Sequence, residues 1–178
     1  MTIDFICSEV HSLCEKYGER DPWRLAGEMG VIVRCEPMGA DKNACKGFFI
    51  YQSRKRLVTI NRDLPGSVQR IILAHELGHA VLHRDEARLR AFQDFSLYES
   101  NARFEYEANL FAAELLLDDS EVLERLREDD LFFAAAKRLA VPPELLDFKL
   151  RILRHKGMCV DSPILSRSDF LKNGWKQS

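Results

Sequence analysis

Apolar residues at Ile3, Ile6, Cys7, Val10, Leu13 and Cys14 recur every three or four positions, the spacing of a helix that buries one face. Gly18 supplies the stop. Asp21-Pro22 then opens a second short helix, with Asp as cap and Pro at the first helical position, running to about Met29 before Gly30. Beyond Val31 the pattern changes. Three short apolar runs, at 31–36, 47–51 and 57–61, read as strands, and Arg54-Lys55-Arg56 between the last two predicts a hairpin. Pro65-Gly66 breaks the chain, and Ser67 is the expected cap of the helix that follows. From 71 to 82 (IILAHELGHAVL) apolar residues occupy almost every direction of the helical wheel, so this helix is expected to be enclosed by protein.

Residues 84–101 mix charges with Phe92, Phe95, Leu97 and Tyr98 and fit either a lid or a partly helical surface connection. A strong helix is predicted over 102–117. An acidic stretch comes next, then two helices at 131–139 and 143–153 meeting near Val141-Pro142. The tail from Met158 carries few signals. The reading is one domain over 1–157: N-terminal helices at 1–30, a small sheet at 31–63, a helical pair at 67–117 and C-terminal helices at 120–157. Residues 158–178 form a C-terminal tail. The class is α+β, with a small three-stranded, mostly antiparallel sheet packed on the enclosed helix and a bundle of further helices.

Composition narrows the classes. With 178 residues, 46% of them hydrophobic, the chain can build one real core, and a second full domain would be crowded. A net charge of −2 gives no basic field for nucleic acid or membranes. No apolar run is long enough to span a bilayer, and Asp4 interrupts an N-terminus that lacks the basic start of a signal peptide. Cys7, Cys14, Cys35, Cys45 and Cys159 are odd in number with no C-x-x-C, which reads as reduced thiols in a cytoplasmic protein.

Within the enclosed helix stands His75-Glu76-Leu77-Gly78-His79, the pattern H-E-x-x-H. Positions four apart lie one turn above each other, so His75 and His79 can aim two imidazole nitrogens at one metal ion. Glu76, about 100° round the wheel, can reach a water there and act as general base. Buried His and Glu need partners, and a metal with its water provides them.

Zinc requires a further protein ligand. His83 extends the series, but eight residues of helix from His75 is about 12 Å, too far for one ion; a helix-end or cleft-lining role remains. The 102–117 helix offers Glu105 and Glu107, which point to nearly opposite sides. Glu107 shares a stripe with Glu114 and Asp118 that reads as solvated. Glu105 shares its face with Ala108, Asn109, Ala112 and Leu116, small enough at Ala108 and Ala112 for close approach to the metal helix. Gly78, which costs about 1 kcal/mol in mid-helix against Ala, fits the same approach. Glu105 is favoured, with Glu107 kept as the alternative. Asn109, one turn after Glu105, could accept the outer N–H of a ligating histidine. The group steadying the oxyanion is not readable; Tyr51, Tyr98 and Tyr106 are candidates. The strand at 57–61 could be a sheet edge receiving an extended substrate.

Taken together, LVTINRDLPGSVQRIILAHELGHAVLH followed by FEYEANLFAAELLL resembles the ImmA/IrrE family of metallopeptidases over roughly residues 20–155. The resemblance implies a zincin-like core and one Zn2+ on His75 and His79, with Glu76 as base. The family's second motif, E-x-x-A-[N/D]-x-F-A, maps the third ligand onto Glu105 and the polar partner onto Asn109. The usual ending LLMP is here Leu116-Leu117-Asp118-Asp119. The resemblance further implies a cytoplasmic endopeptidase of a mobile element or stress regulon, cutting or otherwise inactivating a helix-turn-helix repressor. Two other readings compete. One is a metal-dependent sensor or anti-repressor that binds the repressor without cleaving it. The other is a DNA-binding module at 134–154, where 137–157 carries six Lys/Arg against two acids while 118–130 carries seven acids against two Arg. Solvated or internally packed charges are the plainer account of that asymmetry, so direct nucleic-acid contact is not expected.

Overall fold

The computed structural model describes residues 1–41, 44–52, 54–84, 102–129 and 131–173. The chain runs α1 (Ile3–Tyr17), α2 (Pro22–Glu28), β1 (Val31–Glu36), β2 (Gly47–Gln52), β3 (Lys55–Asn61), α3 (Gly66–Leu82), α4 (Ala102–Leu116), α5 (Asp119–Asp129), α6 (Phe132–Arg138), α7 (Pro143–His155) and α8 (Phe170–Asn173). The candidate lid segment lies, from 85 to 101, outside the described residues.

Local signals account for the first helices. Thr2 caps α1, and Gly18 ends it at φ 64° with its N–H on the Cys14 carbonyl. The Asp21 side chain accepts from the N–H groups of Trp23 and Arg24 at the start of α2. The α3 cap differs from expectation. Pro65 takes that position, Gly66 is the first helical residue, and no side chain caps the helix. Ser67 therefore falls inside the first turn. Gln69 fastens the corner instead, donating to the carbonyls of Leu64 at 2.6 Å and Arg62 at 3.3 Å.

The α+β class is as expected, but the sheet is evenly divided rather than mostly antiparallel. Its order is β1-β3-β2, with β1 parallel and β2 antiparallel to β3. The β2–β3 hairpin is as predicted, closing through Gln52 opposite Lys55 with Arg54 at φ 62°. β3 is thus central and not the sheet edge it was expected to be. Its burial agrees, since Val58 to Asn61 are all enclosed, as a strand with partners on both sides should be. At its end the Asn61 amide donates to the carbonyls of Gly39 and Cys45 and accepts from the N–H groups of Met38 and Asp63, tying the preceding loop to the sheet.

Helix α3 lies against the sheet and α4. A Cβ on Gly47 would stand 2.6 Å from Ile72 Cγ2, so β2 reaches α3 through a position only glycine fills comfortably. Nearly every direction of α3 is buried, including Ile71, Ile72, Leu73, Ala74, Leu77 and Ala80. Helix α7 is the other enclosed helix, burying Leu145, Leu146, Phe148, Leu150, Ile152 and Leu153. Part of its charge is spent internally. Lys149, 1% exposed, sits 2.5 Å from both Glu114 and Asp119, while Lys156 bridges the same two carboxylates at 2.9 and 2.7 Å. Arg151 pairs with buried Asp147. Lys149 and Arg151 are thus turned into the fold, while Arg154 and His155 at the end of α7 stay exposed. The departure at Asp118-Asp119 fits the same frame, because Asp118 caps α5 through the N–H groups of Ser120 and Glu121 and Asp119 joins the lysines.

The segment after α7 lies back over the core. Leu171 is buried, the Ser166 N–H donates to Asp147 at 2.9 Å, and the Ser168 carbonyl accepts from Asn109 at 2.7 Å. Among the described residues no helix is long and apolar enough to cross a membrane, and all five cysteines are free thiols.

Candidate metal centre

Two helices without large side chains between them create the site. A Cβ on Gly78 would meet Ala108 Cα at 3.1 Å, Phe111 Cβ at 3.2 Å and the Ala108 carbonyl at 3.3 Å. Glycine on α3 and alanine on α4 therefore let the two backbones nearly touch, which explains why a poor helix former stands in mid-helix. One turn before Ala108, α4 carries Glu105 to the imidazoles of α3.

The resulting triangle is tight. His79 Nε2 lies 3.2 Å from His75 Nε2; Glu105 Oε2 lies 3.3 Å from His75 Nε2, and Glu105 Oε1 lies 3.6 Å from His79 Nε2. His75 and Glu105 are 3% and 5% exposed, and His79 is half-buried. Ligands disposed tetrahedrally about 2.0–2.2 Å from a zinc ion stand about 3.3–3.6 Å apart. The spacings match without rearrangement, and the donor set of two imidazoles and one carboxylate is one that zinc accepts. These three residues form the group of possible metal-holding side chains among the described residues.

Glu76 is buried on the same helix, 7% exposed, next to His75 in sequence. Asn109 lies one turn beyond Glu105 and is fully buried. Its Nδ2 donates to Ser168, while its Oδ1 has no hydrogen-bond partner among the described residues. The structure therefore brings Asn109 to the site's α4 face, but the expected hydrogen bond from a ligating histidine is not formed. Of the tyrosines, Tyr106 packs against Phe148 and beneath Arg151 on the α7 side, Tyr51 lies in β2 under Arg84, and Tyr98 is outside the described residues.

Glu107 corrects the sequence reading. Its stripe is solvated only at Asp118, which is exposed and caps a helix, while Glu107 is 2% exposed and Glu114 holds the two lysines. Glu107 Oε2 meets His83 Nε2 at 2.9 Å, and Oε1 accepts from Arg103 Nε at 3.0 Å and from the Met1 ammonium. Burial raises its pKa, but the hydrogen bonds from the terminal ammonium, His83 and Arg103 outweigh that and hold it at about 2. His83, in turn, stands with Nδ1 3.0 Å from His79 Nδ1. It closes α3 as its C-cap, with its N–H on the His79 carbonyl. The sequence reading gives His83 a helix-end or cleft-lining role and keeps Glu107 as the alternative ligand, but does not pair the two. The signal was there: a histidine one turn past His79, and a second carboxylate on the facing helix.

Comparison with known proteins now has a geometry to meet. Residues 26–151 match the Peptidase M78 family, described as the IrrE N-terminal-like domain. The chain belongs to the ImmA/IrrE family. It is 31% identical over 144 residues to "Uncharacterized immunity region protein 2" of Bacillus phage phi105, covering 81% of this chain and 88% of that one. It is 35% identical over 97 residues to "Metallopeptidase ImmA" of Bacillus subtilis (strain 168), covering 53% of this chain and 54% of that one. The ImmA/IrrE match spans β1 through α7 and so contains both site helices.

Proposed function

We propose that this protein is a zinc-dependent endopeptidase in which His75, His79 and Glu105 hold one Zn2+ and Glu76 is the general base. The observation that carries this reading is the triangle of 3.2, 3.3 and 3.6 Å between three buried or half-buried electron-pair donors. Zinc, when bound, lowers the pKa of a water toward about 7 and polarises a carbonyl. Glu76 takes the proton of the attacking water and hands it to the leaving amine. Asn109, clamped by Ser168 with its Oδ1 open, is suited to accept the outer N–H of a ligating histidine once the ion fixes the ring. Since β3 is central, β2 is the strand beside α3 at one side of the three-stranded sheet among the described residues, and an extended peptide adds there.

The substrate in this reading is a helix-turn-helix repressor in the cytoplasm. The phage relative's immunity-region designation and the ImmA likeness support it. The test incubates purified zinc-loaded protein with the repressor from the adjacent reading frame. Repressor fragments appear, a chelator stops them, and Glu76→Gln retains zinc while cleavage falls by at least about 10²-fold. Repressor released from DNA without fragments would favour an anti-repressor that only binds. Undiminished cleavage by Glu76→Gln would remove Glu76 from its role.

A further inference from the structure

We infer that His83 and Glu107 are positioning residues that set which nitrogen of His79 is free to face the metal centre. The inference rests on the metal-binding reading of His75, His79 and Glu105 but concerns residues outside that set.

The argument is a proton inventory along one line of contacts. His79 has two ring nitrogens. Nε2 faces His75 and Glu105; Nδ1 faces His83 Nδ1 at 3.0 Å. On the far side of the His83 ring, Nε2 lies 2.9 Å from Glu107 Oε2. The other oxygen of Glu107 is held by two cations, Arg103 at 3.0 Å and the Met1 ammonium. A carboxylate so placed accepts and does not donate. The proton on that contact therefore belongs to His83 Nε2. With His83 as the neutral imidazole, which carries one proton, its Nδ1 is an acceptor. The 3.0 Å contact between the two Nδ1 atoms then requires His79 Nδ1 to be the donor. His79 Nε2 is left with its lone pair aimed at the ligand triangle, which is the tautomer a metal needs.

Packing keeps the line rigid. His83 and Glu107 are 3% and 2% exposed, so neither can exchange its partner for water. Phe104 lies over the His83 ring, with centroids 4.5 Å apart. His83 ends α3 one turn past His79, and Glu107 stands two residues past Glu105 on α4. The two helices that supply the ligands thus also supply the pair behind one of them. Glu105 and Glu107 divide the work: one carboxylate faces His75 and His79, and the other reaches the back of the His79 imidazole through the His83 ring.

Two measurements on the full chain test this. Chelator competition gives zinc affinity for wild type, Glu107→Gln and His83→Ala; each variant is expected to weaken binding about 10- to 100-fold. Long-range nitrogen–proton correlation spectra of zinc-loaded wild type should put the proton of His79 on Nδ1 and that of His83 on Nε2, with His83 Nδ1 bare. A structural role alone would not dictate that pattern. Wild-type zinc affinity in both variants, or a proton on His83 Nδ1, overturns the inference. Where a variant fails to fold, the wild-type spectrum decides. Wild type that takes up no zinc would sink the metal-centre reading itself; wild type that binds zinc beside variants that bind it equally well would sink only this one.

Discussion

Two buried polar clusters sit along α4, and they differ in what they lack. Near the C-terminal end of α4, Glu114 and nearby Asp119 face Lys149 and Lys156, two carboxylates against two ammonium groups. Every charge there has its opposite within the chain, so the cluster is closed. At the N-terminal end Glu105 faces His75 and His79, and all three turn electron-pair donors toward one point. Burial penalises both arrangements, and in the proposed reading an ion from outside balances the second. The contrast separates a structural charge network from a ligand site better than charge content does, since both are built of ordinary ionisable residues on the same helix.

Breaking each cluster should therefore give different readouts. The largest effect belongs to the open one. Glu105→Gln, which keeps the volume and removes the charge, should cut bound zinc from about one ion per chain toward none by mass spectrometry of the native protein, while leaving urea unfolding of the metal-free protein little changed. Unaltered metal content would end the claim that this carboxylate is a ligand. In the closed cluster, Lys149→Met should lose about 1–3 kcal/mol in urea unfolding, because it leaves Glu114 and Asp119 to share the single ammonium of Lys156. Its zinc affinity should match wild type; a parallel loss of zinc would mean that the two clusters are coupled through α4.

A smaller effect is expected where the helices touch. Gly78→Ala gains about 1 kcal/mol of helix propensity but drives a methyl into the Ala108 backbone, and overpacking costs about 1–3 kcal/mol. A net loss of about 1 kcal/mol is expected, with weaker zinc binding as α4 is pushed from α3. A stabilised variant with unchanged zinc affinity would show that the close approach is not what sets the triangle. The smallest concerns acid. Burial pushes the Asp147 pKa up, but its hydrogen bonds with Ser162, Ser166 and Arg151 pull it below its usual value. Its contribution is thus present above the unfolded pKa of about 3.9 and fades as pH falls through the lower folded value. Asp147→Asn should flatten the stability profile in that acid range, and an identical slope in both proteins would count against it.

Much of this was legible in the chain and some was not. Helix stops at Gly18 and caps at Asp21 are local events, decided by residues within one turn of each other. The grouping of His75, His79 and Glu105 followed from helical spacing plus a face argument on small residues. Ser67 failed as a cap because the helix begins two residues earlier, after Pro65, an ambiguity that backbone geometry resolved. The stripe of Glu107, Glu114 and Asp118 read as solvated because carboxylates usually are. Nothing in their own helix reveals that His83, Lys149 and Lys156 stand opposite.

What the sequence by itself determined is whatever repeats with the period of a helix: an enclosed α3, two imidazoles one turn apart, a glycine and two alanines where backbones meet. What only the tertiary structure decided is pairing between distant segments. β3 became the middle strand, Lys149 and Arg151 of α7 turned inward, and Glu107 found the back of a histidine 24 residues away. The physical reason is one of range. Helical period and capping involve neighbours along the chain, while strand order and buried charge partners depend on how whole elements cross, and that is fixed by packing the entire core at once.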